Sequence, residues 1–112
     1  MTSCDVGDDQ TIHPALAGRF SPARFDADHV VTDRQVDLLL DAARRAPSAG
    51  NSQPWRFAVG RRGDVVHRRL VPHLARSSSV WAPDASLLVV NLAQTSVEGD
   101  PSLKYSEFAL YD

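Results

Sequence analysis

Apolar residues recur at helical spacing along the segment from Thr32 to Arg45. They are Val36, Leu39, Leu40 and Ala43. Thr32 followed by Gln35 has the form of a capping box, which closes the start of a helix by reciprocal hydrogen bonds. Pro47 ends the helix, because a proline pushes the residue before it out of the helical region. The pattern therefore predicts a helix over Thr32–Arg45 whose apolar side packs in the core.

Two shorter segments have the pattern of strands. The run SLLVVNL, Ser86–Leu92, is almost continuously apolar, as in a strand that is buried on both faces. Arg56–Arg61 is predicted as a short strand. Between the two, Asp64–Leu74 is predicted as a second helix that breaks around Pro72.

The ends of the chain are less regular. His13–Gly18 is predicted as a short helix closed by Gly18, Glu98–Ser102 as a loop, and Leu103–Asp112 as the start of a further helix. Residues 1–11 have the polar composition of a disordered tail. Helices alternating with strands over residues 12–112 predict one α/β or α+β domain.

Composition narrows the function classes. The 112 residues suffice for one domain with a modest core, and the net charge of −2 gives no reason to expect nucleic acid or a membrane surface as a partner. Eight of the twelve basic residues lie between Arg44 and Arg76. Aromatic residues are not interleaved with them as in a single-strand binder, so we interpret this cluster as a solvated face.

The sequence has no pattern typical of a targeting segment or of a metal site. The stretch MTSCDVGDDQ lacks the basic and apolar regions of a signal peptide, and no apolar run has the eighteen or so residues of a membrane span. Cys4 is the single cysteine, which excludes an internal disulfide. The histidines, which share no metal-ligand spacing and are interpreted as surface or cap residues, are His13, His29, His67 and His73. We therefore expect a cytoplasmic protein without a metal site.

The loop between the predicted helix and strand, Pro47–Trp55, is rich in small and polar residues. Gly50 permits a close approach of the backbone, and Asn51 and Gln53 offer hydrogen-bond donors and acceptors. On composition alone, a loop that holds a planar polar ligand and an elaborate helix-to-strand connection explain this stretch equally well.

A second candidate binding segment is RFSPARF, Arg19–Phe25. Arg19 and Ser21 lie two residues apart, so both could reach one phosphate, with the guanidinium donating paired charged hydrogen bonds. Taken alone, this segment is better explained as two surface arginines and a turn serine.

Read together, these segments resemble the N-terminal half of the nitroreductase family of flavin enzymes. ARRAPSAGNSQPWRF is similar to the family's PSxxNxQPW flavin loop, RFSPARFDADHVVTD to its N-terminal phosphate loop, and KYSEFALYD to the start of its long central helix. The resemblance covers roughly Thr11–Asp112 but only the first part of the family's domain. It implies an α/β, nitroreductase-like flavin-binding fold that is truncated to its N-terminal half.

The resemblance also implies an oxidoreductase in which FMN carries the chemistry, with hydride passing from NAD(P)H to a nitroaromatic, quinone or similar small-molecule acceptor. No side chain is implied as catalytic. The FMN-binding residues that it implies are Arg19, Ser21, Arg24, Pro47, Ser48, Ala49 and Asn51. Arg19 and Ser21 would hold the phosphate, Pro47–Ala49 would line the isoalloxazine, and Asn51 would hydrogen-bond the ring system. Gln53 and Trp55 are interpreted as supports of the loop.

The chain departs from the family pattern in two ways. Ala23 stands where the family usually has a basic residue. Arg24, one place later, either replaces that residue after a small shift of the loop or points away from the site. The second half of the family's domain is missing from the sequence, which predicts a homodimer or a complementing chain that supplies the C-terminal half. The alternative is a non-enzymatic remnant or interaction module that needs a partner chain to bind flavin.

Overall fold

The computed structural model describes residues 11–97, 99–104 and 107–112. All of the predicted disordered tail except Thr11 lies outside these residues. The helices and strands are α1 Pro14–Ala17, α2 Asp33–Arg44, β1 Trp55–Arg61, α3 Val65–Leu70, β2 Leu87–Ala93, β3 Ser96–Val97 and β4 Asp100–Lys104. Single 3-10 turns occur at Ala49–Asn51, Val71–His73 and Ala82–Asp84. The predicted mixed class is confirmed, as are the short first helix, the strand after the loop and the break near Pro72.

Helix α2 begins as the sequence predicts. The Gln35 N–H donates to the Thr32 hydroxyl at 3.2 Å, and the Thr32 N–H donates to the Gln35 side-chain oxygen at 2.9 Å, which completes the capping box. At the other end, Arg44 and Arg45 both donate to the Asp41 carboxylate. These hydrogen bonds, the one from Arg44 foremost, hold the pKa of Asp41 below its ordinary value.

The predicted packing of α2 is wrong for most of its apolar side. Val36 is buried at 7% exposure, but Leu39 is 57% exposed, Ala43 is also exposed, and Leu40 is only half-buried. No strand or other helix among the described residues contacts α2 extensively. Helical spacing identifies the side that a helix can bury, but it does not show whether the same stretch of chain supplies a partner.

The main sheet is an antiparallel pair, in which β1 and β2 are aligned from Trp55 opposite Ala93 to Arg61 opposite Leu87. The prediction of a strand buried on both faces at Ser86–Leu92 is therefore wrong. Every residue of β2 is half-buried or exposed, because one neighbouring strand and the six-residue helix α3 cover too little of its surface.

Helix α3 packs closely on β1 at Gly60. A Cβ atom at this glycine would lie 2.7 Å from the backbone nitrogen of His67, so only glycine allows this approach. The Asp64 carboxylate caps α3 by accepting from the His67 N–H at 2.7 Å, and it also accepts from the Arg61 N–H at 2.9 Å. These two backbone hydrogen bonds lower the pKa of Asp64, the first more than the second.

His67 is buried, with 7% exposure, which corrects its interpretation as a surface or cap residue. Its Nδ1 accepts from the Gly63 N–H at 3.2 Å, so the ring proton lies on Nε2, which donates to the Pro83 carbonyl at 3.1 Å. Since both ring nitrogens are used, His67 is a core residue that joins α3 to the segment before β2.

The C-terminal segment is not the predicted helix. Strand β4 pairs antiparallel with β3 around Gly99, whose φ is +82°, and residues 107–111 form turns. This strand also occupies part of the predicted loop Glu98–Ser102. A ten-residue helix is marginal by itself, and a hairpin satisfies the backbone of this segment instead. No helix in the described part of the chain is long and apolar enough to cross a membrane.

Candidate functional site

The loop between α2 and β1 has an unusual backbone. Gly50, Asn51 and Gln53 have φ values of 58°, 54° and 47°, all in the left-handed region. Glycine adopts this region freely and asparagine tolerates it, but it is unfavourable for glutamine. Such strain persists only where the surrounding structure holds it, and it is concentrated at binding and catalytic sites.

Hydrogen bonds within the loop hold this conformation. The Ser48 carbonyl accepts from the Asn51 N–H at 3.0 Å, and the Ser48 hydroxyl accepts from the Gln53 N–H at 3.0 Å. The Gln53 side chain donates to Asn51 Oδ1 at 2.9 Å. The Asn51 carboxamide is thus held in one orientation, and the predicted role of Gln53 as a support of the loop is confirmed.

The loop is anchored at its end and open on one side. Pro54 is fully buried, and its carbonyl accepts from the Gln94 N–H at 2.6 Å. A cleft of about 420 Å³ lies beside the start of the loop, lined by Ala46–Ala49 with Tyr111 and Asp112. No atom lies within 4 Å of the position that a Cβ of Gly50 would take. This cleft is shallow and open to solvent, so it can contact one side of a ligand but cannot enclose it.

The structure places the side chains of the candidate phosphate-binding residues Arg19 and Ser21 next to each other. The Arg19 guanidinium donates to the Ser21 hydroxyl at 3.5 Å, and both residues are exposed. Arg24, the residue predicted to replace the family's usual cation, is exposed as well. The three side chains therefore offer their donors to solvent on one short segment.

The segment that follows Arg24 is connected to the rest of the fold by a ring contact and by hydrogen bonds. The Phe25 ring packs on Trp81 with centroids 5.6 Å apart. The Arg62 guanidinium donates to the carbonyls of Asp26, His29 and Asp84, the last at 2.8 Å.

Arg61 contacts the chain a few residues further on, at Val31 and Asp33. It donates to the Val31 carbonyl at 3.0 Å and forms an ion pair with Asp33. Arg61 and Arg62 belong to the cluster that was interpreted as a solvated face, so for these two residues that interpretation is wrong. The sequence carried no signal for either contact, because each joins residues about thirty positions apart.

The two candidate segments remain separate in the structure. Among the described residues, no hydrogen bond or ion pair joins Arg19, Ser21 or Arg24 to the loop Pro47–Asn51. The chain thus presents two candidate binding elements, one of exposed donors and one of strained backbone beside a cleft, and the described residues show no direct link between them.

Known proteins are similar in sequence to this chain over most of its length. The Nitroreductase family profile matches residues 16–108. An Archaeoglobus fulgidus protein with the provisional name NADH dehydrogenase/NAD(P)H nitroreductase is 40% identical over 78 residues, which are 70% of this chain and 43% of that protein. Iodotyrosine deiodinase 1 of Sus scrofa is 29% identical over 84 residues, which are 68% of this chain and 29% of that protein.

Solved structures share the fold. A crystal structure described as an oxidoreductase containing FMN superposes with a TM-score of 0.79 at 28% identity, covering 95% of this chain and 54% of that chain. A provisionally named nitroreductase from Desulfovibrio desulfuricans, in complex with FMN, gives a TM-score of 0.60 at 33% identity, covering 72% of this chain and 47% of that chain. The chain spans about half the length of these relatives. From the profile match over residues 16–108, the chain belongs to the nitroreductase family.

Proposed function

We propose that this chain binds FMN and forms part of an NAD(P)H-dependent oxidoreductase of nitroreductase type. The observation that carries the proposal is the loop Pro47–Pro54, in which the left-handed residues Gly50, Asn51 and Gln53 are held by internal hydrogen bonds beside an open cleft. Backbone strain that is maintained in this way is typical of ligand sites. Relatives of the same fold contain FMN.

The residues of the chain fit this cofactor, which joins a flat polar ring system to a phosphate group. The exposed pair Arg19 and Ser21 offers one charged and one neutral donor to the phosphate, and Arg24 adds a second cation. In the loop, Pro47–Ala49 offers small side chains for contact with the ring system. The fixed Asn51 carboxamide offers a polar group to a ring edge.

When bound, FMN supplies the redox chemistry, a hydride being taken from NAD(P)H and two electrons being passed to a nitroaromatic, quinone or similar small acceptor. The residues of this chain bind and orient. Arg19 offsets the charge of the phosphate, Pro47 and Ala49 exclude water from one side of the ring system, and Asn51 fixes its rotation. No side chain of the chain is proposed to form or break a bond.

The site is proposed to be completed by further polypeptide. The chain spans about half the length of its FMN-containing relatives, and its two binding elements have no direct link. We propose that the rest of the FMN site is formed by a second copy in a homodimer, or by a chain equivalent to the C-terminal half of the relatives. Since NAD(P)H is a cytoplasmic electron donor, we propose the cytoplasm as the location.

The test is to measure NADH and NADPH oxidation by the purified chain with FMN and a quinone or nitroaromatic acceptor. The chain is assayed alone and together with the C-terminal half of the FMN-containing oxidoreductase that it resembles. We expect FMN-dependent oxidation in the combined sample. FMN binding without oxidation of NADH or NADPH would contradict the proposed oxidoreductase activity. The absence of FMN binding in both samples would contradict the whole proposal.

A further inference from the structure

The last described segment of the chain returns to the candidate flavin loop. The Ala49 N–H donates to Asp112 Oδ2 at 3.1 Å, across 63 positions of sequence, in a partly buried contact. We propose that Asp112 is a positioning residue for this loop. Its carboxylate fixes the Ser48–Ala49 peptide and, through that peptide, the left-handed backbone at Gly50 and Asn51.

The peptide between Ser48 and Ala49 is held from both sides. Its N–H donates to Asp112, while its carbonyl accepts from the Asn51 N–H at 3.0 Å. A trans peptide is planar, and its N–H and carbonyl point in opposite directions. Two partners on opposite sides therefore fix the rotation of this plane, which sets the direction in which the chain enters the turn at Gly50.

Asp112 differs from the other partners of the loop in its distance along the chain. The hydrogen bonds described above among Ser48, Asn51 and Gln53 join residues at most five positions apart. Local hydrogen bonds of this kind maintain the shape of the turn, but they do not fix its position relative to the rest of the fold. The contact from Asp112 connects the start of the turn to a distant segment.

The turn that carries Asp112 takes its shape from local hydrogen bonds and its place in the fold from a buried side chain. The N–H groups of Tyr111 and Asp112 both donate to the Phe108 carbonyl, at 2.9 and 3.0 Å. Ala109, within the same turn, is buried at 4% exposure. A docked turn with an ordered backbone can present a carboxylate at a fixed position.

The consequence for binding rests on the proposed function. A loop that is already in its bound conformation loses less conformational freedom when a ligand arrives, which raises affinity without any new contact. The asparagine side chain at position 112 keeps an oxygen acceptor for the Ala49 N–H, whereas the alanine side chain has none. The main-chain oxygens of residue 112 are the same in all three proteins. Asp112→Asn should therefore behave like the wild type, and Asp112→Ala should not.

The first experiment needs no flavin. Amide hydrogen exchange of the 112-residue chain is followed by mass spectrometry on peptides that contain Ala49, with peptides of β1 and β2 as an internal control of folding, a measurement that does not require a monomer. We expect Ala49 to be protected in the wild type and in Asp112→Asn, and to exchange at least about tenfold faster in Asp112→Ala, as for a lost charged hydrogen bond. Glu107→Ala, which removes an exposed carboxylate from the same segment, should leave the protection unchanged. Unchanged protection in Asp112→Ala would overturn the inference.

The second experiment measures FMN affinity in the combined sample with the C-terminal half. We expect Asp112→Ala to weaken FMN binding about tenfold and Asp112→Asn to change it less than about threefold. Ala49→Pro removes the donor instead of the acceptor, so in that background Asp112→Ala should have no further effect.

The outcomes separate the two proposals. If Ala49 loses protection in Asp112→Ala but no variant binds FMN, the positioning contact stands and the proposed function fails. If FMN binds equally well to the wild type and to Asp112→Ala while Ala49 loses protection, Asp112 holds the amide without serving the ligand, and the inference is overturned.

Discussion

Single residues set tight limits at the contact between α3 and β1. Gly60 is buried, and a Cβ there would meet backbone atoms of His67 at 2.7 and 3.0 Å, which cannot move aside as a flexible side chain could. The imidazole of His67 is itself fixed by hydrogen bonds on both ring nitrogens. A substitution at Gly60 must therefore displace the helix.

We expect Gly60→Ala to destabilise the chain by about 1–3 kcal/mol, the usual cost of forcing a methyl group into a filled space. Urea unfolding followed by circular dichroism measures the change. Arg56→Ala, at an exposed position on the same strand, should stay within about 0.5 kcal/mol of the wild type. A stable Gly60→Ala variant would show that α3 does not pack on β1 as described.

Arg19 is the residue on which the proposed phosphate contact depends. Arg19→Ala should weaken FMN binding in the combined sample by about 1.5–3 kcal/mol, the scale of a lost hydrogen bond to a charged group. Arg24→Ala should cost less, because Arg24 is displaced by one position from the family pattern. Arg34→Ala, exposed on α2, serves as the control. Equal affinities of the wild type and Arg19→Ala in a fluorescence titration would remove Arg19 from the site.

Contacts between residues close in sequence were predictable, and contacts between distant residues were not. The capping box of Thr32 and Gln35 and the proximity of Arg19 and Ser21 follow from local spacing. The roles of His67, Arg62 and Asp112 depend on partners that only the folded chain brings near them. Local patterns carry no information about such partners.

At the scale of elements, start and stop signals located the regular segments well. The bounds of α2, β1 and α3 differ from the predicted ones by a few residues at most, because caps and prolines act locally. The segment after Glu98 was predicted wrongly because its conformation depends on pairing between β3 and β4. Pairing is decided by the competition between a short helix and a hairpin, which periodicity does not resolve.

Asp64 links two elements, since it caps α3 and also accepts from the N–H of Arg61 at the end of β1. Its pKa is lowered by these bonds, so its contribution to stability is complete above the ordinary aspartate pKa of about 3.8 and is lost as the pH falls through the lower folded value. Asp64→Asn keeps an acceptor oxygen but does not titrate.

We therefore expect Asp64→Asn to be less stable than the wild type near neutral pH, and the difference to shrink as the pH falls from the ordinary aspartate pKa through the lower folded value. Urea unfolding of both proteins at a series of pH values between about 7 and 2 measures this. Asp37→Asn, at an exposed position on α2, is the control. A difference for Asp64→Asn that does not depend on pH would contradict the assigned role.

At the scale of the whole molecule, the chain is open. Its radius of gyration is 18.0 Å, whereas a compact domain of this length has about 13 Å. Besides Pro54 and Gly60, the buried apolar residues in the described part of the chain are Val36, Ala82, Ala85 and Ala109. An apolar groove of about 420 Å³ beside α2 is lined by His29, Val31, Gln35, Leu38 and Leu39. The sequence pattern marked α2 as a packing helix, and the surface for it to pack on is expected in the part of the relatives that this chain does not span.

Leu39 tests this explanation. Because it is exposed, Leu39→Asp should change the unfolding midpoint of the chain alone only slightly. In the combined sample, the same change would place an unpaired charge in the covered groove and should weaken assembly by several kcal/mol. Asp37→Asn, also on α2, is the control, and light scattering of the mixture measures assembly. Equal assembly of the wild type and Leu39→Asp would show that the groove stays uncovered.

The most direct test of the central claim, that this chain is an FMN-binding half completed by further polypeptide, is size-exclusion chromatography monitored at the flavin absorbance band. With its uncovered helix and the unpaired edges of its sheet, the chain alone should elute as a self-associated species with little FMN. With the C-terminal half of an FMN-containing relative added, a defined complex should elute with FMN bound. A clean monomer that holds stoichiometric FMN by itself, or a complex that carries no flavin, would contradict the claim.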